Sequence, residues 1–384
     1  MLAAIRIASK LKKICFVLTV EYAVKAFLLN HLRELAEFYD VTVIVNTDDP
    51  DFLAKAGIKA KVIPLKISRD ISLFSDLICL FKLIEIFYQQ RFSSVHSLMP
   101  KSGLLAMLAA WVVCVPLRIH TFTGQVWATK GGLERFILKQ FDCLIVFLST
   151  NNIIDSPSQR QFLLDNKVIT LAKSMVFSKG SVSGVDATRF KPNIQFKIDI
   201  RQQLGVADKT IIFLFVGRLN KDKGVLDLVH AFKQLNVKMT YLLFVGSDEQ
   251  NMQAEIMNII GASQNVHFIG HTNTPEAYMA TADVLCLPSY REGFGSVVIE
   301  AAAVGIPAIA SHIYGITDAV VDGETGLLHE PRDIEGIKNC MQQLIENKPL
   351  RLKLGEQARQ RAIKDFDSHL ITQAWVDFYS GHLN

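Results

Sequence analysis

The chain has 384 residues, half of them hydrophobic and a fifth charged, with a formal net charge of +4. These numbers exclude an intrinsically disordered chain and a collagen-like repeat, and they allow two domains that each bury a core. The charge is uneven, at +8 over residues 1–185 and −4 over residues 186–384. The N-terminal half is therefore the one suited to an anionic membrane surface, a nucleic acid or a phosphorylated substrate.

The elements alternate along the chain. The first twenty residues do not read as a secretory leader, because Arg6, Lys10, Lys12 and Lys13 break the apolar stretch and no cleavage site follows. Strands are predicted at residues 13–20, 41–46, 61–65, 94–97, 117–122 and 143–148, and helices at 25–38, 73–90 and 103–111. The longest uncharged run lies between Lys101 and Arg118. It contains Pro116 and is short for a membrane span, so it reads as a buried helix leading into a buried strand.

A polar segment, 179–199, with Gly180, Gly184 and Pro192, reads as a linker. The pattern then restarts. Strands are predicted at 211–216, 241–245, 266–269, 284–287 and 308–310, with helices at 225–235, 253–260 and 296–304 and terminal helices from Asp333. Strand–helix alternation of this kind means parallel sheets covered on both faces. The expected architecture is α/β, with two doubly wound Rossmann-like domains facing each other across a cleft. Their expected bounds are 1–185 and 186–365, with a last helix, 366–384, packing back on the N-terminal domain. The cleft, at the C-terminal ends of both sheets, is the expected site.

Cys15, Cys79, Cys114, Cys143, Cys286 and Cys340 include no C-x-x-C pair. That excludes a zinc ribbon or a thioredoxin-type site and predicts reduced thiols in a cytosolic protein.

Two clusters carry candidate chemistry. In FLFVGRLNKDKG, a strand ends at Val216, Gly217 permits a tight turn, and Arg218 and Lys223 stand before the next helix. An arginine fork and a mobile lysine charge suit a diphosphate; a solvated basic loop is the plainer reading, since Asp222 separates Lys221 from Lys223. In PSYREGFGSVVIEAAAVGIPAIAS, Gly293 and Gly295 precede a small-residue helix whose free N–H groups can meet an anion. Glu292 lies at its mouth. Glu300, eight residues on and about two turns into an apolar helix, needs partners and can reach hydroxyls at the far end of a ligand.

Together the G-R-x(4)-K-G loop, the E-x(7)-E in EGFGSVVIE, AAAVGIPAIAS, the VDGETGLL turn at 321–328 and GVDATRFKP at 184–192 resemble the retaining nucleotide-sugar glycosyltransferases of GT-B fold, family four. The segments at 95–110, 118–132 and 155–163 are similar to members that extend undecaprenyl-diphosphate-linked oligosaccharides in bacterial surface-polysaccharide and glycan assembly. Donors there are often UDP-activated N-acetylhexosamines.

The resemblance implies that residues 1–185 are the acceptor side and 186–365 bind the nucleotide sugar. It implies that Gly217, Arg218 and Lys223 hold the diphosphate and that Glu292 holds sugar hydroxyls. Backbone N–H groups of Gly293, Phe294, Gly295 and Ser296 touch sugar and phosphate, Glu300 holds the ribose, and Gly270 and His271 contact the base. His120 faces the anomeric centre. Catalytic roles fall on His120, Glu292, Arg218 and Lys223.

Where relatives carry a glycine pair after the first strand, this chain has Val20, Glu21, Tyr22 and Ala23, which makes Glu21 a polar acceptor-side candidate beside Thr123, Gly124 and Trp127. Trp127 is a lid, an acceptor-stacking ring or core; His96 stays undecided. Asp49 and Asp51 form a literal D-x-D, but they sit with Pro50 in a turn where such residues are expected for backbone reasons. No cofactor and no metal are expected, and nucleic acid is not an expected partner. The predicted partners are a nucleotide sugar, a lipid-linked saccharide and the anionic inner membrane surface, with the protein cytoplasmic and peripheral at the inner leaflet. A sugar-nucleotide epimerase of the same fold and a non-enzymatic nucleotide-binding protein are the alternatives.

Overall fold

The computed structural model describes residues 11–68, 72–235, 239–261 and 265–383. Arg6 and Lys10 of the N-terminal reading lie outside them. Two parallel sheets organise the described residues. The first contains β1 (Lys13–Val17), β2 (Asp40–Val45), β3 (Ala60–Pro64), β4 (Ser94–Leu98), β5 (Leu117–Phe122), β6 (Asn151–Ile154) and β7 (Ser174–Met175), in the order β3-β2-β1-β4-β5-β6-β7. The second contains β8 (Ile211–Val216), β9 (Thr240–Val245), β10 (Val266–Gly270), β11 (Val284–Leu287), β12 (Ala308–Ser311) and β13 (Gly326–His329), in the order β10-β9-β8-β11-β12-β13.

Each order reverses direction once, beside β1 in the first sheet and beside β8 in the second. Such a switch point opens a crevice at the C-terminal strand ends. The central strands are near-continuous apolar runs because both faces are covered; Phe213, Leu214 and Phe215 of β8 are all buried.

The last helix, Ser368–Leu383, leaves the second sheet's layer and buries Ile371, Trp375, Phe378 and Tyr379 in the core of the first. The Trp375 ring stacks between His31 and His96, each 4.8 Å away. His96 is thereby a core residue, donating to or accepting from Tyr379 and Thr121. The chain crosses between the two layers twice, side by side. Val185 N–H donates to Phe366, and Ser368 N–H donates back to Val185. Gly184, at φ +64°, is required there: a Cβ would come within 2.8 Å of the Phe366 carbonyl and of Ser368 Cα.

Three predicted elements differ. Residues 143–148 are not a strand; they end the helix Gly132–Leu148. The apolar run misleads because this helix is apolar outside as well as inside, with Ile145 buried and Phe147 exposed. The strand that takes its place is β6. The 179–199 linker ends at Asn193, whose side chain accepts the N–H groups of Gln195 and Phe196 and starts the helix Ile194–Gln203. Residues 25–38 divide into helices Glu21–Phe27 and Leu29–Leu35. All six cysteines are free, with Cys15, Cys79 and Cys286 buried and Cys114 exposed.

Candidate active site

The loops after β8 and β11 are locked together. Gly224 sits at φ +66°, and a Cβ there would run into the Pro288 carbonyl. The contact brings Lys223, on the short turn Lys221–Lys223 capped by Asn220, against Glu292. Lys223 Nζ donates to Glu292 Oε1, which also accepts from Ser289 Oγ at 2.8 Å. Arg218 leaves the end of β8 and makes a two-pronged contact with Glu249, at 3.0 and 2.9 Å. Gly217 packs beside Gly246 at the adjacent strand end, where any Cβ on Gly246 would strike the Gly217 carbonyl. Gly246 in turn donates to Gly270, so the floor below Arg218 is bare backbone.

Gly295, at φ +81°, opens the helix Ser296–Val304, and no side chain caps its first turn. Because β8 and β11 are adjacent parallel strands, its free N–H groups open at the same C-terminal sheet edge as Arg218 and Lys223. Phe294 contributes only backbone: its ring is buried edge-on to Phe366, 5.1 Å away. Glu300 stands on the same helix, partly buried, and among the described residues it accepts no hydrogen bond. Burial pushes its carboxyl up to about 7, against the pull of Arg189 and with the help of Glu276. Arg189 itself is engaged with Glu276 at 2.8 Å.

The first domain meets this loop closely. A Cβ on Gly293 would clash with the Thr123 carbonyl and lie 2.7 Å from Asp155 Oδ2, and one on Gly124 would be 3.3 Å from Gly293 N. Thr123 and Gly124, just past β5, thus face Glu292 and Gly293 across the cleft. Asp155 was missing from the sequence reading. It is buried and accepts Val182 N–H at 2.8 Å; burial, partly offset by that bond and reinforced by the Glu292 charge, raises it to about 7. Tyr22 was also missed. It stands in the first turn of the helix Glu21–Phe27 that follows β1 and meets His271 edge-on, with ring centroids 6.2 Å apart, within the fields of Glu300 and Arg218. Its sequence signal was its place beside Glu21 after the first strand.

The other candidates fall elsewhere. His120 does not face the cleft. Its ring is enclosed below the strand ends, with Nδ1 2.9 Å from Ser97 Oγ and Gly103 directly against it, and burial lowers it to about 3. Position along the strand explains this: His120 lies inside β5, under the helix that carries Gly103, and Thr123 is the first residue past the strand's end. Trp127 is neither lid nor stacking platform. It is buried, donates to Asp142 at 2.7 Å and stacks on Phe162. Glu21 is a strut between strand ends: burial would raise its pKa, but Lys25, at 2.5 Å, and Thr47 hold it below the usual range. Asp49 is tied to Lys55 at 2.7 and 2.8 Å. Among the described residues, no three His, Cys, Asp or Glu side chains gather as metal ligands would.

The chain is similar to several known proteins. Residues 196–361 match the family model for glycosyl transferases group 1. The capsular polysaccharide biosynthesis glycosyltransferase CapM of Staphylococcus aureus is 32% identical over 347 residues, which cover 88% of this chain and 90% of CapM. The N,N'-diacetylbacillosaminyl-diphospho-undecaprenol alpha-1,3-N-acetylgalactosaminyltransferase of Campylobacter jejuni is 27% identical over 357 residues, covering 88% of this chain and 90% of that protein. The crystal structure of Anabaena HepE in complex with UDP and glucose superposes with a TM-score of 0.81 at 19% identity, covering 96% of this chain and 100% of HepE. The locked loops, the uncapped helix and the full-length likeness to CapM lead to one conclusion: the chain belongs to the group 1 glycosyl transferases and is a glycosyltransferase of GT-B fold.

Proposed function

We propose that the protein transfers an N-acetylhexosamine from a UDP-sugar to a lipid-linked saccharide with retention and without a metal, working at the cytoplasmic face of the membrane in bacterial surface-polysaccharide or glycan assembly. The observation that carries this is the contact of Lys223 with Glu292 at the strand-end edge that also holds Arg218 and the uncapped helix Ser296–Val304, with Glu300 on that helix accepting no hydrogen bond among the described residues. The acceptor class is supported by the Campylobacter relative, whose acceptor is a diphospho-undecaprenol saccharide and whose sugar is N-acetylgalactosamine. The UDP donor is supported by the resemblance of residues 118–132 and 155–163 to transferases that use such donors.

In the free protein the charges neutralise one another, Lys223 on Glu292 and Arg218 on Glu249. Donor binding exchanges these pairs. Lys223 and Arg218 move onto the diphosphate, and Glu292 is released to hold hydroxyls of the transferred sugar. As the bond from C1 to the phosphate oxygen breaks, negative charge grows on the diphosphate and positive charge on the ring. The two cations and the helix N–H groups are already aimed at the growing anion, and such preorganisation is the main source of rate. The acceptor hydroxyl attacks from the face the phosphate leaves and passes its proton to the departing phosphate oxygen. No side-chain nucleophile is used, which agrees with the burial of His120.

The test is turnover of a panel of UDP-sugars with and without an undecaprenyl-diphosphate saccharide, each in the presence and absence of EDTA. Acceptor-dependent release of UDP from one N-acetylhexosamine donor, indifferent to EDTA and giving an α-linked product, is expected. Loss on EDTA would remove the metal-free part, and a β-linked product the retaining part.

A further inference from the structure

The helices Leu73–Gln90 and Gly132–Leu148 share one layer on the first sheet, with Pro100–Val112 packed between them and against both. Their inner faces fill the core through Cys79, Leu83, Phe87 and Ile145. Their outer faces are apolar too. Leu73, Phe74 and Phe81 on the first and Leu133, Phe136 and Phe147 on the second are between 59% and 79% exposed. A soluble surface rarely carries a contiguous patch of this kind without a partner. Neither helix is long and apolar enough to cross a bilayer.

The topology says where the patch sits. Helices between parallel strands run back against them, so each helix begins at the C-terminal edge of the sheet, the edge that forms the cleft. Leu73, Phe74, Leu133 and Phe136 lie in the first two turns of their helices. The apolar face therefore starts at the cleft rim, on the side of Thr123 and Gly124. The half of the chain that holds it carries +8, and Lys82 stands exposed among the aromatic side chains.

We infer that this two-helix face is a membrane-docking surface that lies in the headgroup region of an anionic bilayer and presents the cleft to an acceptor still anchored in it. The inference rests on the lipid-linked acceptor proposed above. Two features choose the bilayer over a second copy of the chain. Two copies would bring two +8 halves together, whereas anionic headgroups complement them. The continuity with the cleft rim would also bury the acceptor's approach in a dimer.

The experiment is flotation of the full chain with vesicles of phosphatidylethanolamine and phosphatidylglycerol, against vesicles of phosphatidylcholine alone. It compares the wild type with the exposed-face variants Phe81→Ser and Phe136→Ser and the double variant. Wild type should float with the anionic vesicles, and high salt should weaken this without abolishing it. Each substitution should cut partitioning about tenfold, the equivalent of one buried aromatic side chain. Donor affinity and melting temperature should stay at wild-type values, while turnover of an undecaprenyl-linked acceptor in vesicles falls. Wild-type flotation of the double variant would overturn the assignment, as would a wild-type dimer that the double variant dissolves. Flotation needs no substrate, so a failed donor or acceptor assay leaves its outcome readable and counts against the proposed reaction alone.

Discussion

Glu300 is the residue at which stability and binding pull apart. Its carboxyl is raised to about 7 by burial, so folding binds a proton. The contribution is present at pH below its ordinary carboxyl range and is lost as pH rises through about 7. In the proposed donor site, ribose hydroxyls would donate to it and favour the ionised form, so nucleotide affinity should fall as pH drops below about 7, by up to about tenfold per unit. Glu300→Gln should flatten that dependence in calorimetric titrations, weaken binding and raise the melting temperature of the free protein near pH 8. A variant with the wild-type pH profile would remove Glu300 from the nucleotide site. Lys223→Ala and Glu292→Ala should each lower kcat about 10²–10³-fold, the scale for losing one preorganised charge contact. Each leaves its partner part-buried and unpaired, so a stability loss of about 1–3 kcal/mol is expected beside it in denaturant titrations. The double variant should recover part of that stability and none of the rate.

At the scale of elements, the terminal helix Ser368–Leu383 stands out, because it starts in one domain's layer and ends in the other's core. Trp375 is its anchor, and Trp375→Ala should cost about 3–5 kcal/mol. Hydrogen exchange should then rise along the whole helix, whereas a rise confined to one turn would mean the other buried contacts suffice. The ring's two neighbours are neutral imidazoles. Burial lowers His31 to about 4 and His96 well below its ordinary value, with the Val182 carbonyl opposing this at His31. Their contribution is present above the ordinary histidine range and is lost as pH falls from about 6.5 towards 4. The stability gap between wild type and His31→Gln should therefore narrow over that interval. Asp142, raised to about 7 by burial, acts with the opposite sign, so the comparison must be with the variant rather than along the wild-type curve alone.

The whole molecule is held in register by a seam beside the cleft. Ser158 donates from both its N–H (2.8 Å) and its hydroxyl (2.5 Å) to Asp318, and Gly315 N–H donates to Ser158 Oγ at 2.7 Å. Trp127, Phe162 and Tyr314 stack in sequence across the two domains, at 5.1 and 4.3 Å. The seam sets the distance between Thr123 and Gly293. Asp318→Ala should lower kcat more than it raises the donor's KM, because the proposed donor contacts lie within one domain while the proposed attack needs both. An unchanged kcat would make the seam a passive contact.

Much of this was legible before any coordinates. Strand–helix alternation follows from apolar runs and their period, and it places ten of the thirteen strands; β6 is displaced onto residues 143–148, the two-residue β7 is too short to register, and β13 lies in the 321–328 segment that reads as a turn. The contact between the loops after β8 and β11 was legible because their glycines, cations and glutamates are close in sequence and their spacing is set by local turn and helix geometry. What the tertiary structure decided was facing. A histidine at a strand end reads the same whether its ring meets a ligand or a core helix, and the helix that carries Gly103 covers His120 while Thr123, just past β5, is left at the cleft. Trp127 went inside because Asp142, on the next helix, and Phe162, on the one after, enclose it. Tyr22 and Asp155 matter only because two separately folded sheets bring their strand ends together. The sequence by itself determined the two sheets and the charged, glycine-rich loops after β8 and β11; which side chains face the cleft was decided by tertiary packing, because no local rule orients a side chain against a partner on another element.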